Sequence, residues 1–136
     1  MAKRKTRKDS IPKLIKKLDQ VFSRWVRCSA ADDCGQVACV TCGHQNHWKK
    51  MQAGHFIPRQ IKSTRWEEWN VRPQCYACNM FYGGRPQDYR DKLIEELGEE
   101  EVQRLSALRH QIVKLDRFEL QSMIDDYTSR LKNLDA

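Results

Sequence analysis

Cys39-Val40-Thr41-Cys42 and Cys75-Tyr76-Ala77-Cys78-Asn79, two Cys-x-x-Cys turns of the same form, enclose a stretch that carries Ala53-Gly54-His55-Phe56. Each turn sets two thiolates on one tight loop, and two such loops brought together supply the four sulfurs of a tetrahedral zinc site. One pair alone would be a weak signal; its repetition makes the signal strong. Two disulfides, or thiols buried as small hydrophobes, are the competing readings. A site of four thiolates leaves no coordination position for water, so the zinc expected here is structural. The 32 residues between the pairs exceed what a minimal zinc ribbon needs, so the metal is expected to clamp an insertion with a task of its own.

The rest of the chain sets the terms for that insertion. At 136 residues it is one domain, or a small domain with an extension, and its middle would have a marginal core without a staple. No apolar run approaches the ~20 residues that span a bilayer, which argues against a membrane partner. The start, Met1-Ala2-Lys3-Arg4-Lys5, has no hydrophobic stretch behind it of the kind a secretory signal needs. A cytoplasmic location is expected, where reduced thiols favour zinc over disulfides. The net charge of +7 is uneven: bases exceed acids by 11 over residues 1–87, whereas acids exceed bases by 4 over residues 88–136. An anionic partner, nucleic acid first among them, should therefore meet the N-terminal arm and the cysteine-bearing region.

The arm holds Lys3, Arg4, Lys5, Arg7 and Lys8. Ser10 is placed to cap a helix and Pro12 suits its first turn, after which Ile11, Leu14, Ile15, Leu18, Phe22 and Trp25 recur at helical spacing. Lys13, Lys16 and Lys17 fall off that stripe and offer phosphate contacts, or else a solvated face. Residues 28–36 read as a loop in which Cys28 and Cys34 are too widely spaced for a zinc knuckle. Around His55, Met51, Ala53 and Ile57 alternate as in a short strand, and a polar His on that face needs a partner or a purpose. Beyond Gly83-Gly84-Arg85-Pro86 the pattern predicts helices over Pro86 to Leu97 and Glu99 to Val113. Asp116 with Glu119 resembles a capping box opening a last helix towards Leu131. Its apolar positions Phe118, Ile124, Tyr127 and Leu131 would pack on a neighbouring helix or on a second chain.

The succession Cys-x-x-Cys-Gly, Ala-Gly-His-Phe, Asn70 five residues before Cys75, and Cys-x-x-Cys-Asn resembles the HNH (His-Me finger) endonucleases. Within them it is similar to the Rap, or NinG-type, recombination endonucleases of lambdoid phages, over roughly residues 39–97. The resemblance implies a small α+β fold, a ββα-metal module stapled by Cys39, Cys42, Cys75 and Cys78. An N-terminal helix and a C-terminal helical extension flank it. The chain then divides into a basic arm (1–9), a helix plus zinc-bound nuclease core (10–87) and an extension that can serve dimerisation (88–136). The resemblance further implies nicking of branched DNA such as Holliday junctions and D-loops, in the host cytoplasm if the protein is phage-encoded. His55 would act as general base, Asn79 as ligand of a catalytic Mg²⁺ or Mn²⁺, and Asn70 as a structural tie.

Elementary chemistry agrees with those roles. Cleaving a phosphodiester requires a deprotonated water, a sink for the charge of the phosphorane and help for the departing oxygen; a neutral imidazole and a hard divalent ion supply these near pH 7. Many HNH enzymes place Asp before the histidine as a metal ligand, whereas this chain has Gly54, so the metal must find another oxygen. Gln52, Glu67, Glu68 and Asp88 are the local candidates. Arg59, Lys62, Arg65 and Arg72 lie where a phosphate backbone would pass, and Trp25, Trp48, Trp66 and Trp69 are candidates for stacking on unpaired bases or for the core. His44, His47 and His110 read as loop or surface residues. A noncatalytic zinc-ribbon DNA-binding protein, or a sequence-reading HNH nuclease, would share much of this pattern.

Overall fold

The computed structural model describes residues 8–134. Helix α1 spans Ile11–Ser29, with the Ser10 side chain accepting a hydrogen bond from the Lys13 backbone N–H at 3.3 Å and a proline in its first turn. Both features satisfy or dispense with N–H groups that have no partner inside a helix. Leu14, Leu18, Phe22 and Val26 recur every four residues and are buried. The helix continues to Ser29, two residues into the expected loop, so Cys28 lies in its last turn while Cys34 is exposed.

Four short strands follow. β1 (Gln36–Ala38) and β2 (Gln45–His47) form one antiparallel hairpin that carries the first cysteine turn at its tip. Gly43, with φ of 76°, makes the left-handed corner that lets its N–H reach the Cys39 carbonyl at 2.9 Å. β3 (Gln52–His55) pairs antiparallel with β4 (Val71–Gln74), Gln52 opposite Gln74 and His55 opposite Val71. The Val40 N–H donates to the Pro73 carbonyl at 2.9 Å and ties the first turn to the second hairpin. After β4 the chain enters a widened helical turn, Ala77–Phe81, which starts inside the second cysteine pair.

The long connection from β3 to β4 is closed by Asn70, which is fully buried. Its Oδ1 accepts from the Ile57 N–H at 2.7 Å, and its Nδ2 donates to the carbonyls of Ile57 at 3.1 Å and Thr64 at 3.0 Å. A carboxamide can accept and donate twice at once, whereas a carboxylate only accepts and a hydroxyl has a single proton to give.

Helices α2 (Pro86–Leu97) and α3 (Glu99–Leu108) meet at Gly98, whose φ of 87° allows the sharp change of direction. Tyr89, Leu93 and Val102 form their shared core, and the Tyr89 hydroxyl donates to the Gly54 carbonyl at 2.7 Å, pinning the helix pair to β3. α3 stops five residues before the expected Val113. Residues 109–113 bury nothing, Ile112 being fully exposed, and a short helix without a packed face is not self-sustaining.

Helix α4 (Arg117–Leu134) is opened by the expected cap, the Asp116 Oδ1 accepting from the N–H groups of Phe118 at 2.7 Å and Glu119 at 3.1 Å. It folds back onto α1, where Leu120 and Tyr127 join Leu14, Leu18, Phe22, Val26, Trp66 and Val71. Tyr127 meets Phe22 edge to face with ring centroids 5.0 Å apart. Of the expected stripe, Tyr127 and Ile124 pack on this core, but Leu120 and Met123 join them in place of the expected Phe118, which is 80 % exposed. Phe118 lies two residues, about 200° of helix rotation, from Leu120, so both cannot face α1. Among the described residues no helix is long and apolar enough to cross a membrane.

Candidate metal centre and basic cleft

The two cysteine turns bring the sulfurs of Cys39, Cys42, Cys75 and Cys78 within 4.8 Å of one another. The Cys42 and Cys75 sulfurs are 3.7 Å apart, close to the roughly 3.8 Å separation implied by four sulfurs at 2.3 Å from a tetrahedral zinc. Cys39 and Cys78 are buried, and two side chains attend them: the Thr41 hydroxyl lies 3.4 Å from the Cys39 sulfur, and Arg85 Nε–H donates to the Cys78 sulfur at 3.2 Å. Burial raises the Cys42 thiol to about 12 and also raises Cys75; it opposes ionisation of Cys39 too, but the Thr41 hydroxyl and nearby backbone amides bring that thiol to about 6. Without a cation, four adjacent thiols cannot all ionise. A dication removes that conflict, so the donor set fits a structural zinc ion.

His55 ends β3, and its Nε2 lies 2.9 Å from the Arg65 carbonyl oxygen. A carbonyl only accepts, so Nε2 holds the proton and the neutral ring keeps its lone pair on Nδ1. The accepting carbonyl is itself fixed, because Arg65 grips Asp19 of α1 through both Nε, at 3.0 Å, and Nη2. Asp19 is held in turn by Trp66 Nε1–H at 3.0 Å. Burial draws the His55 pKa below 6.5, opposed by the Arg65 carbonyl and Asp19. His55 is therefore an uncharged base at neutral pH.

Asn79 follows Cys78 in the widened turn, and its Nδ2 donates to Gln52 Oε1 at 2.6 Å, which leaves Oδ1 as an acceptor. Of the four candidate oxygen donors, Gln52 alone touches Asn79. Glu67 pairs with Arg104 at 3.4 Å, Glu68 accepts from Tyr127 and Arg130 at 2.9 and 2.6 Å, and Asp88 faces Arg85 at 3.9 Å. Gly54 also has its reason in space: a Cβ there would stand 2.1 Å from Gln74 Oε1. The fully buried Gln74 holds that position by donating to Thr41 Oγ1 at 3.0 Å and the Gly84 carbonyl at 2.9 Å, with Oε1 lacking a partner among the described residues.

His55 and Asn79 line one open cleft of about 950 Å³. Arg59 enters it from the loop after β3, Arg90 from α2 and Arg109 from just beyond α3, and among the described residues no Asp or Glu lines it. Of the expected phosphate contacts, Arg59 is thus in the cleft and Lys62 is exposed outside it. Arg65 and Arg72 are turned into internal pairs with Asp19 and, at 2.9 Å, Glu96. Lys13 and Lys17 share Asp9, whereas Lys8 and Lys16 are exposed. Lys3, Arg4, Lys5 and Arg7 lie outside the described residues. Arg90 and Arg109 escaped the sequence reading because they sit in the segment whose net charge is negative.

The tryptophans are mostly committed elsewhere. Trp66 is buried, Trp25 packs on Tyr127, and Trp48 lies beneath Arg24 and Arg27; only Trp69 is exposed, with Arg72 over its ring at 5.6 Å. The His47 Nδ1 accepts from the Lys49 N–H at 3.2 Å, and His44 and His110 are exposed.

The family model described as "NinG: Bacteriophage Lambda NinG protein" matches residues 1–136. The chain is similar to Protein ninG of Escherichia phage lambda, with 26% identity over 121 residues that cover 88% of this chain and 56% of that protein. Protein ninG of Salmonella phage P22 matches at 26% over 121 residues as well, 57% of its length. The chain spans little more than half the length of these curated relatives. No solved structure matches it.

Proposed function

We propose, on the premise that the chain belongs to the NinG family as its match over residues 1–136 shows, that it is a metal-dependent endonuclease nicking branched DNA such as Holliday junctions and D-loops, with His55 as general base. One observation carries the reading: a neutral histidine and a carboxamide open onto the same cleft, whose charged lining is all arginine. Such a cleft suits a phosphodiester, and a protein that only bound DNA would not need an imidazole with a fixed tautomer there. On this reading β3, β4 and the helical turn at Ala77–Phe81 would serve as the two strands and the helix of a ββα module.

In this mechanism Arg59, Arg90 and Arg109 draw the strand into the cleft and neutralise its phosphates. His55 Nδ1 takes the proton of a water aligned with the scissile phosphorus, while the Arg65 carbonyl holds Nε2–H and stabilises the imidazolium that forms. A bound Mg²⁺ or Mn²⁺ would supply the positive charge that stabilises the phosphorane and the leaving 3′ oxygen. Asn79 Oδ1 is the hard oxygen in the cleft fit to hold it, with Gln52 Oε1 beside it engaged by the Asn79 amide, so the remaining ligands would come from water and the DNA phosphate. A four-way junction presents two-fold related strands, so the active form would be a homodimer. The buried side of α4 is already occupied by α1, so that dimer would use another surface.

The neutral donor set favours a second reading, a noncatalytic zinc-ribbon DNA-binding protein, for which the cysteines and arginines suffice. Incubating the zinc-loaded protein with labelled branched and linear DNA, with Mg²⁺, Mn²⁺ or neither, separates them. Nicking of branched DNA that depends on the ion is expected. No cut in either substrate under any condition would leave the binder, and equal cutting of both would indicate a sequence-reading nuclease.

A further inference from the structure

We infer that the outward side of the second cysteine turn is a stacking platform for a nucleobase left unpaired at a DNA branch. This rests on the reading of DNA as the ligand but not on catalysis. Tyr76 is 63 % exposed, Met80 59 %, Phe81 78 % and Tyr82 52 %, four large side chains presented by one short stretch. The cysteine turn sets the start of this surface: with the Cys75 and Cys78 sulfurs facing the other two, Tyr76 between them points out, and Met80, Phe81 and Tyr82 follow on the exposed side of the widened turn. Phe81 and Tyr82 brace each other edge to face at 5.0 Å, and the Arg85 guanidinium lies 4.0 Å from the Tyr82 ring centroid. Arg85 has a φ of 46°, a conformation that costs a non-glycine residue energy, and the Nε–H bond to the Cys78 sulfur holds it there. The platform is therefore built before any ligand arrives.

The occupant follows from what adjoins the platform. Met80 lines the arginine cleft beside Asn79, so the aromatic faces continue the path on which phosphates would lie. Asn79 and Phe81 flank Met80, and although their side chains leave the turn on different sides, their Cα atoms are no more than about 7.6 Å apart, the length of roughly two stacked nucleotides. A base on Phe81 would then sit within a nucleotide or two of a phosphate at Asn79. A second copy of this chain fits poorly: facing across a two-fold axis, the neighbouring arginines would meet their own images. Four side chains of one turn also fall short of the ≈ 800 Å² per partner of a stable interface. Paired bases keep their faces covered, whereas a branch point exposes them, so the platform reads DNA structure and not sequence.

Binding of the zinc-loaded full chain, with no divalent ion added, would be measured to a forked duplex with unpaired bases at the branch and to the same duplex without a fork. Phe81→Ala should weaken fork binding about tenfold while leaving linear binding and zinc content unchanged, and Phe81→Trp should restore it. If Phe81→Ala loses zinc, Tyr82→Ala and Tyr76→Ala are read the same way. An equal loss on both DNAs, no loss on either, or a wild-type dimer that the substitution dissolves would overturn the inference. Because no cleavage is read, a wild-type protein that never nicks would sink the nuclease proposal and leave this one standing.

Discussion

Gly54 and His55 are neighbours on β3, and each is set by a residue far away in sequence. A side chain at position 54 would meet the Gln74 amide at 2.1 Å, so Gly54→Ala is expected to cost about 1–3 kcal/mol in chemical denaturation through overpacking. Pairing it with Gln74→Ala should recover much of that loss, and a double variant no more stable than the single one would dismiss the steric account. The sequence showed only the departure from Asp-His; the reason lay on the partner strand. For His55, replacement by Ala should abolish nicking and leave DNA binding nearly intact. Its pKa gives two further expectations. Since burial holds the folded value below 6.5, the loss of nicking rate on acidification should be centred below pH 6.5. The unfolded chain binds the proton first as pH drops through 6.5, so stability is intact above that value and is lost as pH falls towards the folded pKa. A rate that already declines between pH 8 and 7 in single-turnover assays would remove His55 as the base.

At the level of elements, what was legible depended on whether the deciding contacts are local. The caps Ser10 and Asp116, the stop at Gly98 and the start at Pro86 are short-range signals, and the structure has each where the sequence put it. The end of α3 and the facing of α4 are decided by what packs against them, which is why Val113 falls outside a helix and Phe118 outside the core. The cysteine pairs were legible because metal ligation fixes spacing as well as residue type. The loop from Phe56 to Asn70 has no such local pattern, and the carboxamide that organises it, Asn70, was expected as a tie only through the family resemblance. Asn70→Ala would strand the Ile57 N–H and two carbonyls in a buried setting, a cost on the order of 3 kcal/mol that thermal unfolding would register. Asn70→Asp should be similarly harmful, since a carboxylate cannot donate to the carbonyls of Ile57 and Thr64. A stable Asn70→Asp protein with unaltered chemistry at His55 would show the loop to be held by other means.

For the molecule as a whole, charge summed over segments misled where charge in space informs. The last third of the chain is net acidic, yet it contributes Arg90 and Arg109 to the cleft, because the acids of α2 and α3 face elsewhere: Glu96 holds Arg72 and Glu101 holds Arg104. Arg109 has no carboxylate partner among the described residues, and Arg90 has only Glu99 at 3.8 Å. If the cleft carries the strand, each arginine displaces roughly one counterion from DNA on binding. Arg109→Ala should then lower affinity for branched and linear DNA alike and make the slope of log K against log salt shallower by about one; the double variant with Arg90→Ala should flatten it by about two. Arg72→Ala is the control, because its guanidinium already serves Glu96 and its loss should leave the slope unchanged. Slopes that respond to Arg72 but not to Arg90 and Arg109 would move the strand out of the cleft, and with it the phosphate away from His55.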